Sequence, residues 1–224
     1  NDNRLLALRP KALFHHSKGL WQYSKNKTGI LTSAVAEAGG FICSTPSQKR
    51  PDLQLHFIPG AMDDHGRNTS MLFNYGISLH VCLLRPESRG EVSLKSANAS
   101  DEPHIVTNML SAESDVKLMI EGVKRAREIM AQSPLNMKLK GELFPGNNIK
   151  TDKDIAEFLR NKANTIYHPV GTCKMGCDDM SVVSDQLKVH GVNKLRVVDA
   201  SIMPTLISGN TNAPTIMIVA KAAD

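Results

Sequence analysis

The sequence is poor in aromatic residues, which make up 4% of its 224 residues and include a single tryptophan. Its pI of about 9.0 would suit an acidic partner, but no basic run alternates with the aromatic side chains that stack on bases. No apolar stretch reaches the roughly 20 residues that a membrane span needs. The composition argues against a nucleic-acid binder and a membrane-spanning protein. It leaves an ordinary globular chain, 41% hydrophobic and 22% charged.

Cysteine is also scarce, with four residues in the chain. Disulfide frameworks occur in short, cysteine-dense secreted domains, so reduced thiols in a cytosolic setting are expected here. Cys173 and Cys177 follow His168, but the second half that completes most zinc motifs is missing. The sequence therefore predicts no metal site.

Apolar and polar residues alternate in three segments, which predicts half-buried strands of an antiparallel sheet. These segments are Leu53–Phe57, Ile77–Leu83 and Glu91–Lys95. Between the last two lies Arg85–Gly90, with proline near its start and glycine at its end, which predicts a β-hairpin. A short apolar strand is expected over Leu195–Val198.

Helical spacing of apolar residues appears over residues 111–131. A second helix is expected to begin at Thr151, whose hydroxyl can cap it and which precedes an acidic first turn. A short helix is predicted within residues 1–36, and a last helix from about Ala213, with a proline in its first turn. An antiparallel sheet with packed helices predicts the α+β class.

Three stretches carry residue types suited to chemistry: Tyr167–Gly176, Leu195–Pro204 and Gly209–Ile218. Each alone has a structural explanation, as a loop histidine, a turn-forming aspartate and a helix cap. Together they resemble the C-terminal signature of the glucose–methanol–choline (GMC) family of flavin-dependent alcohol oxidoreductases. The resemblance runs through nearly the whole chain and includes Ala36–Phe41 and Leu84–Gly90.

The resemblance implies an FAD-dependent oxidation of a primary alcohol to an aldehyde, with the hydride passing to flavin N5. His168 holds the position of the family's base, and an imidazole suits that role because its pKa of about 6.5 lies near working pH. Asn212 holds the second family position. An amide can bond the substrate oxygen but cannot act as a base, so we expect orientation from Asn212 and proton transfer by His168.

The resemblance also implies which residues contact the cofactor. The start of the last helix, with its unpaired amides, would face the flavin's pyrimidine edge, and the Thr215 amide is the expected donor. Asn212 lies at the same edge. Asp199 and Ala200 would contact the ribityl and phosphate region at the carboxyl end of a strand.

No two glycines are separated by a single residue, so the G-x-G-x-x-G fingerprint for dinucleotides is absent. In GMC proteins that motif lies near the N-terminus, and the FAD-binding α/β domain is discontinuous. We therefore expect residues 1–183 to form the substrate-binding domain and residues 184–224 to supply the C-terminal strand and helix of the FAD-binding domain. FAD is expected in the complete protein and not on this fragment, which needs the missing N-terminal region for turnover.

Two features of the sequence bear on the substrate. Glu37 matches a carboxylate of choline-active members, but a single Trp and three Tyr leave little material for an aromatic cation cage. Residues 63–67 look more like those of aliphatic and primary alcohol dehydrogenases. We favour an alcohol dehydrogenase that passes electrons to a quinone or other acceptor. A choline dehydrogenase and a non-catalytic substrate-domain fragment stay open. The expected location is the cytoplasm or the surface of the inner membrane.

Overall fold

The computed structural model describes residue 7 and residues 10–223. The start of the predicted substrate-binding domain and the last residue of the predicted FAD-domain segment therefore lie outside the described residues. It combines helices with short strands, and the α+β prediction is confirmed. The helices are α1 (Pro10–Asn26), α2 (Glu113–Met130), α3 (Asp152–Lys162) and α4 (Asn212–Ala223). The strands are β1 (Ala38–Ile42), β2 (Leu53–Ile58), β3 (Ser78–Leu83), β4 (Glu91–Ser93) and β5 (His104–Val106). Across the described part of the chain, every helix is too short or too polar to traverse a bilayer.

The strands form two small sheets. One has the order β1-β2-β3, and the other pairs β4 with β5 antiparallel. β1 and β2 are antiparallel, from Ala38 opposite Phe57 to Ile42 opposite Leu53. Gly39 is required in this pair, because a Cβ there would lie 2.5 Å from the Leu55 carbonyl oxygen.

The predicted hairpin between β3 and β4 is wrong, because β3 pairs with β2 and β4 with β5. The residues between them are bound to Asp115 in the first turn of α2. Its carboxylate accepts the Glu87 amide at 2.9 Å, the Ser88 amide at 2.8 Å and the Ser88 hydroxyl. Asp115 is 3% exposed, and these donors replace the water it loses on burial. The segment is therefore held against a helix instead of closing a hairpin.

The strand predicted over Leu195–Val198 is also wrong. In the described residues this segment forms one isolated antiparallel bridge, between Arg196 and Lys188. A strand needs a neighbour along its length to pair its amides and carbonyls, and a single bridge satisfies few of them. The segment is held by this bridge and by the backbone bonds on either side of it, and it forms no strand.

The first helix is longer than predicted, with 17 residues. Among its described side chains, Leu20 and Trp21 are 62% and 61% exposed and so lie outside any buried stripe. Helical periodicity is visible in a sequence only where apolar residues form such a stripe. The sequence pattern therefore predicted a shorter helix than the structure has.

Helix α3 begins as predicted after Thr151. The Thr151 hydroxyl accepts the Asp154 amide, and the Asp154 carboxylate accepts the Thr151 amide at 3.0 Å, which completes a capping box. These bonds from Thr151 lower the pKa of Asp154. Ile155 and Leu159, 1% and 4% exposed, anchor the helix in the core.

By packing, the chain divides into two units. The first comprises residues 1–82 and 122–133, and the second comprises residues 83–121 and 134–224. The first core contains Leu53, Leu55, Ile58 and Val123, and the second contains Val116, Ile155, Leu159, Val183 and Ile202. The domain boundary at residues 183 and 184 stays a prediction from the family resemblance.

Candidate active site

The site is centred on His168, a half-buried histidine in the second unit. Its Nδ1 lies 2.9 Å from the Thr211 hydroxyl, and its Nε2 lies 2.7 Å from the Asn210 side-chain nitrogen. Thr211 is 43 residues away in sequence and 7% exposed. The first and third of the three motifs are thus joined through both nitrogens of one imidazole.

The loop that carries His168 is fixed by backbone bonds to a 3₁₀ turn, Ala200–Ile202. The Cys173 amide donates to the Ser201 carbonyl at 3.1 Å, and the Met175 amide donates to the Ile202 carbonyl at 2.8 Å. Ile202 is 3% exposed, so this turn is anchored in the core. The second motif therefore supports the loop of the first.

Both chain segments that meet at His168 pass through the left-handed region of backbone space. Tyr167, just before His168, has φ 64°, and Ser208, two residues before Asn210, has φ 67°. Non-glycine residues take this conformation at a cost of about 1–3 kcal/mol, and it persists where surrounding contacts hold it. Seven other non-glycine residues of the described chain also have positive φ, so the conformation shows that contacts hold these two segments and does not by itself mark a functional site.

The partners of the imidazole bear on which ring nitrogen carries its proton. An amide NH₂ group only donates, so with the Asn210 nitrogen facing Nε2 that ring nitrogen accepts. Neutral imidazole then carries its proton on Nδ1, which donates to the Thr211 hydroxyl oxygen. The Thr211 amide also donates to Nδ1, from 3.4 Å, and a backbone N–H requires a lone pair there. The contacts therefore accommodate either neutral tautomer, and Nε2 as the basic atom is part of the proposal below.

Helix α4 begins directly after Thr211. Both the amide and the hydroxyl of Thr215 donate to the Thr211 carbonyl, at 3.0 Å and 2.6 Å. The Thr215 amide is therefore engaged inside the helix, and its contact with a flavin stays a prediction. The amides of Asn212 and Ala213 precede this first intrahelical bond and are the donors that helix geometry leaves unpaired. Asn212 itself is exposed.

The remaining predicted residues have local roles. Asp199 caps the 3₁₀ turn, with its Oδ1 accepting both the amide of Ser201, at 2.8 Å, and its hydroxyl. Ala200 is the first residue of that turn and is half-buried. Glu37 lies in the first unit, exposed, where its amide donates to the Phe57 carbonyl at 3.1 Å. Among the residues the structure describes, no three His, Cys, Asp or Glu side chains lie close enough to hold a metal ion.

Comparison with known proteins decides the family. A family model described as GMC oxidoreductase, C-terminal domain, matches residues 86–219, which is more than half of the chain. The chain belongs to the GMC oxidoreductase family. It is 50% identical to an alcohol dehydrogenase (acceptor) of Pseudomonas putida, over 92% of this chain and 37% of that protein. It is 48% identical to the mitochondrial choline dehydrogenase of Mus musculus, over 92% of this chain and 34% of that protein.

A solved GMC-like structure, a formate oxidase variant from Aspergillus oryzae studied for its FAD modification, matches the fold. It covers 100% of this chain and 42% of its own chain, with a TM-score of 0.81 and 25% identity. The present chain thus spans about a third of the length of the curated relatives it matches.

The motif reasoning missed Asn210, which contacts the His168 imidazole, and named only Asn212, which was expected to orient the substrate. A usable signal was present, because two asparagines flank Thr211 in the Gly209–Ile218 motif. Asn210 lies in the loop before α4, and Asn212 is the first residue of the helix. The spacing of the motif does not show which of the two contacts His168. The convergence of His168 and Asn212 on one substrate stays a prediction.

The donor set at the start of α4 fits the polar edge of a flavin. It offers the Asn212 and Ala213 amides and the exposed Asn212 carboxamide at the positive end of a helix of 12 residues. Uncharged donors at such an end favour a group that gains negative charge. The glycine-rich loop that docks a dinucleotide is absent from the sequence.

Proposed function

We propose that the complete protein carrying this chain is an FAD-dependent oxidoreductase that oxidises a primary alcohol to an aldehyde. The observation that supports it most is the clamp on His168, whose two ring nitrogens face Thr211 and Asn210 directly before α4. A base needs a ring held in a fixed orientation, and contacts at both ring nitrogens favour such an orientation.

His168 takes the hydroxyl proton at Nε2 in this mechanism. An alcohol is a weak acid, so its proton must leave as the carbon loses hydride, and the O–H electron pair becomes the second bond of the carbonyl. The ring becomes an imidazolium, whose Nδ1–H still donates to the Thr211 hydroxyl. Thr211 thus stabilises the charged base in the orientation it held when neutral.

Asn210 covers the lone pair of His168 before substrate binds, at 2.7 Å. The incoming alcohol O–H must replace this contact. Asn210 is exposed, so its amide can turn aside without opening a packed core. Its freed NH₂ group and the Asn212 carboxamide can then donate to the substrate oxygen, which holds the reacting carbon in place.

In this proposal FAD would be held by Asp199, Ala200, Asn212 and Ala213, and Thr215 would contribute indirectly. Asp199 uses Oδ1 for Ser201, and Oδ2 is the oxygen to which a ribityl hydroxyl would donate. Thr215 contributes by holding the Thr211 carbonyl, while Asn212 and Ala213 offer amides. When bound, FAD would supply the acceptor for the hydride.

The test is His168→Ala in the full-length protein, assayed by reduction of an artificial dye with a primary alcohol. Loss of a general base costs on the order of 10²- to 10⁴-fold in kcat, with FAD content unchanged. His190→Ala is the matched control, because His190 contacts the Gly176 carbonyl, 14 residues earlier, and is assigned no catalytic role. Wild-type turnover in His168→Ala, or an equal loss in His190→Ala, would contradict the proposal.

Choline is a second candidate substrate, because identity to the mouse choline dehydrogenase nearly equals that to the bacterial alcohol dehydrogenase. A carboxylate at Glu37 would then attract the quaternary ammonium group. The decisive measurement compares kcat/KM for choline and for unbranched primary alcohols in wild type and Glu37→Gln. A loss confined to choline supports the choline reading, and equal changes for both substrates count against it.

The isolated chain is expected to be inactive, since α4 has no buried residue and Ile216 and Met217 are 61% and 59% exposed. In our proposal the N-terminal region of the full-length protein covers this surface. Dye reduction should appear only in the full-length protein or after this region is added. Flavin absorbance that co-purifies with the 224-residue chain alone would contradict this expectation. The quinone-type acceptor and the location in the cytoplasm or at the inner membrane stay predictions.

A further inference from the structure

We propose that Arg85 is a positioning residue for His168, acting through Ser208 on the segment 208–211. This inference rests on the proposed role of His168 as the base. Arg85 touches no reacting atom, and its effect passes through the backbone that carries Asn210 and Thr211.

The contact that carries the proposal joins two distant parts of the second unit. The Arg85 Nη1 donates to the Ser208 hydroxyl at 3.0 Å across a sequence separation of 123 residues. Arg85 is half-buried, which protects the bond from water. A hydrogen bond with a charged donor is about twice as strong as a neutral one.

Ser208 is a sensitive place for such a bond. Its φ of 67° is unfavourable for a residue with a side chain, and only surrounding contacts keep it there. Asn210 and Thr211, the two residues that clamp the imidazole, follow within three positions. Relaxation of Ser208 into an ordinary conformation would redirect the chain that carries both contacts.

The other end of the contact is fixed in the core. Glu87 and Ser88, just after Arg85, donate their amides to the buried carboxylate of Asp115. The Ser88 hydroxyl also accepts the Ala112 amide at 3.0 Å, so this loop is tied to the start of α2 twice. Arg85 therefore extends from a rigid base, and a rigid donor can hold a strained acceptor.

Loss of the contact is expected to slow the chemical step more than it weakens binding. Small displacements of a catalytic group cost on the order of 10²-fold in rate, because the reacting atoms lose alignment. The substrate's remaining contacts are unchanged. We expect kcat to fall about tenfold or more in Arg85→Ala, with KM within about twofold of wild type.

The experiment compares Arg85→Ala, Arg85→Lys, Ser208→Ala and the double variant Arg85→Ala/Ser208→Ala in the full-length protein with FAD bound. The double variant should be no slower than Arg85→Ala, since each change already breaks the bond between Arg85 and Ser208. Lysine keeps the charge and one donor but not the planar fork, so it should restore part of kcat. Arg89→Ala is the matched control: Arg89 lies exposed in the same loop and donates to the Pro86 and Ser88 carbonyls.

A second readout does not depend on turnover. With isotope-labelled histidine, the ring NMR signals of His168 should shift in Arg85→Ala and Ser208→Ala, while those of His190 and all signals in Arg89→Ala stay in place. Additive losses in the double variant, an equal effect of Arg89→Ala, or unmoved His168 signals would each overturn the proposal. If His168→Ala keeps full activity, the proposed function fails, and the His168 signals still report whether Arg85 positions the ring.

Discussion

Helices α3 and α4 lie in the same unit and have similar lengths, 11 and 12 residues, yet they are built in opposite ways. α3 is rich in charge, begins with a capping box and buries Ile155 and Leu159. α4 is far more apolar in sequence and buries none of its residues in the described structure. The polar helix is the packed one, and the apolar helix is the exposed one.

The difference follows from how each helix finds partners. An amphipathic helix needs one apolar surface to cover its stripe, and α3 has that surface within its own unit. A helix that is apolar around most of its circumference needs partners on several sides. The two helices therefore have different roles. α3 packs in the core of the second unit, whereas α4 contributes its first turn to the site and leaves most of its apolar side chains exposed.

The largest expected effect uses one residue type in both helices. Ile155→Ala should lower the free energy of unfolding by about 2–5 kcal/mol, because Ile155 is 1% exposed and the truncation leaves a cavity. Ile216→Ala should change it by less than about 0.5 kcal/mol in the 224-residue chain, since Ile216 is 61% exposed. Denaturant unfolding followed by circular dichroism measures both.

The same pair sharpens the comparison in the full-length protein. If other parts of that protein cover α4, Ile216→Ala becomes destabilising there. The two variants then lower the free energy of unfolding by more similar amounts. Equal effects of the two truncations in the short chain would break the comparison, because α4 would then be packed already.

A smaller effect is expected from two threonines. Thr151→Ala removes the cap of α3 and should cost about 1 kcal/mol of stability. Thr215→Ala removes a hydroxyl that bonds the Thr211 carbonyl within α4, and alanine's higher helix propensity offsets that loss. Thermal unfolding of the two variants should show the larger shift for Thr151→Ala. The reverse order would mean that the start of α4 contributes more to stability than that of α3.

The same contrast explains what could be predicted from the sequence. The start of α3 was predictable because a cap and its acidic first turn are encoded within four consecutive residues. The strand Leu53–Ile58 was predictable because alternation is also local. The α+β class follows from these local patterns, and the family follows from the order of three motifs.

The errors concern partners that are distant in the chain. The prediction of a hairpin between β3 and β4 is wrong because the turn donates hydrogen bonds to Asp115, 27 residues beyond Ser88. The strand at Leu195–Val198 failed because pairing depends on a neighbour that local alternation does not reveal. Asn210 was missed as a partner of His168 for the same reason, since their contact spans 42 residues. In each case the sequence shows the chemical character of the segment but not the distant residue that it contacts.

The smallest expected effect lies in the loop between the two helices, just after the His168 motif. Lys174 bonds the Asp178 carboxylate at 2.8 Å, and together with the Met180 amide this lowers the pKa of Asp178 from 3.8 to about 2. A carboxylate with a lowered pKa in the folded state stabilises the fold above its ordinary pKa, and this contribution is lost as the pH falls through about 2. Asp178 is exposed, so the contribution is small and screened by salt.

Asp178→Asn should therefore lower the melting temperature slightly at pH 7, and the difference from wild type should shrink between about pH 4 and pH 2. Asp179→Asn, which removes the neighbouring exposed carboxylate, is the control. A difference that persists at pH 2 would point to lost turn geometry instead of lost charge, because the asparagine would then disturb contacts that do not depend on ionisation. In that case local hydrogen bonds would stabilise the loop after His168, as they stabilise the start of α3. The contrast with α3 would then apply only to the segment from Asn210 into α4.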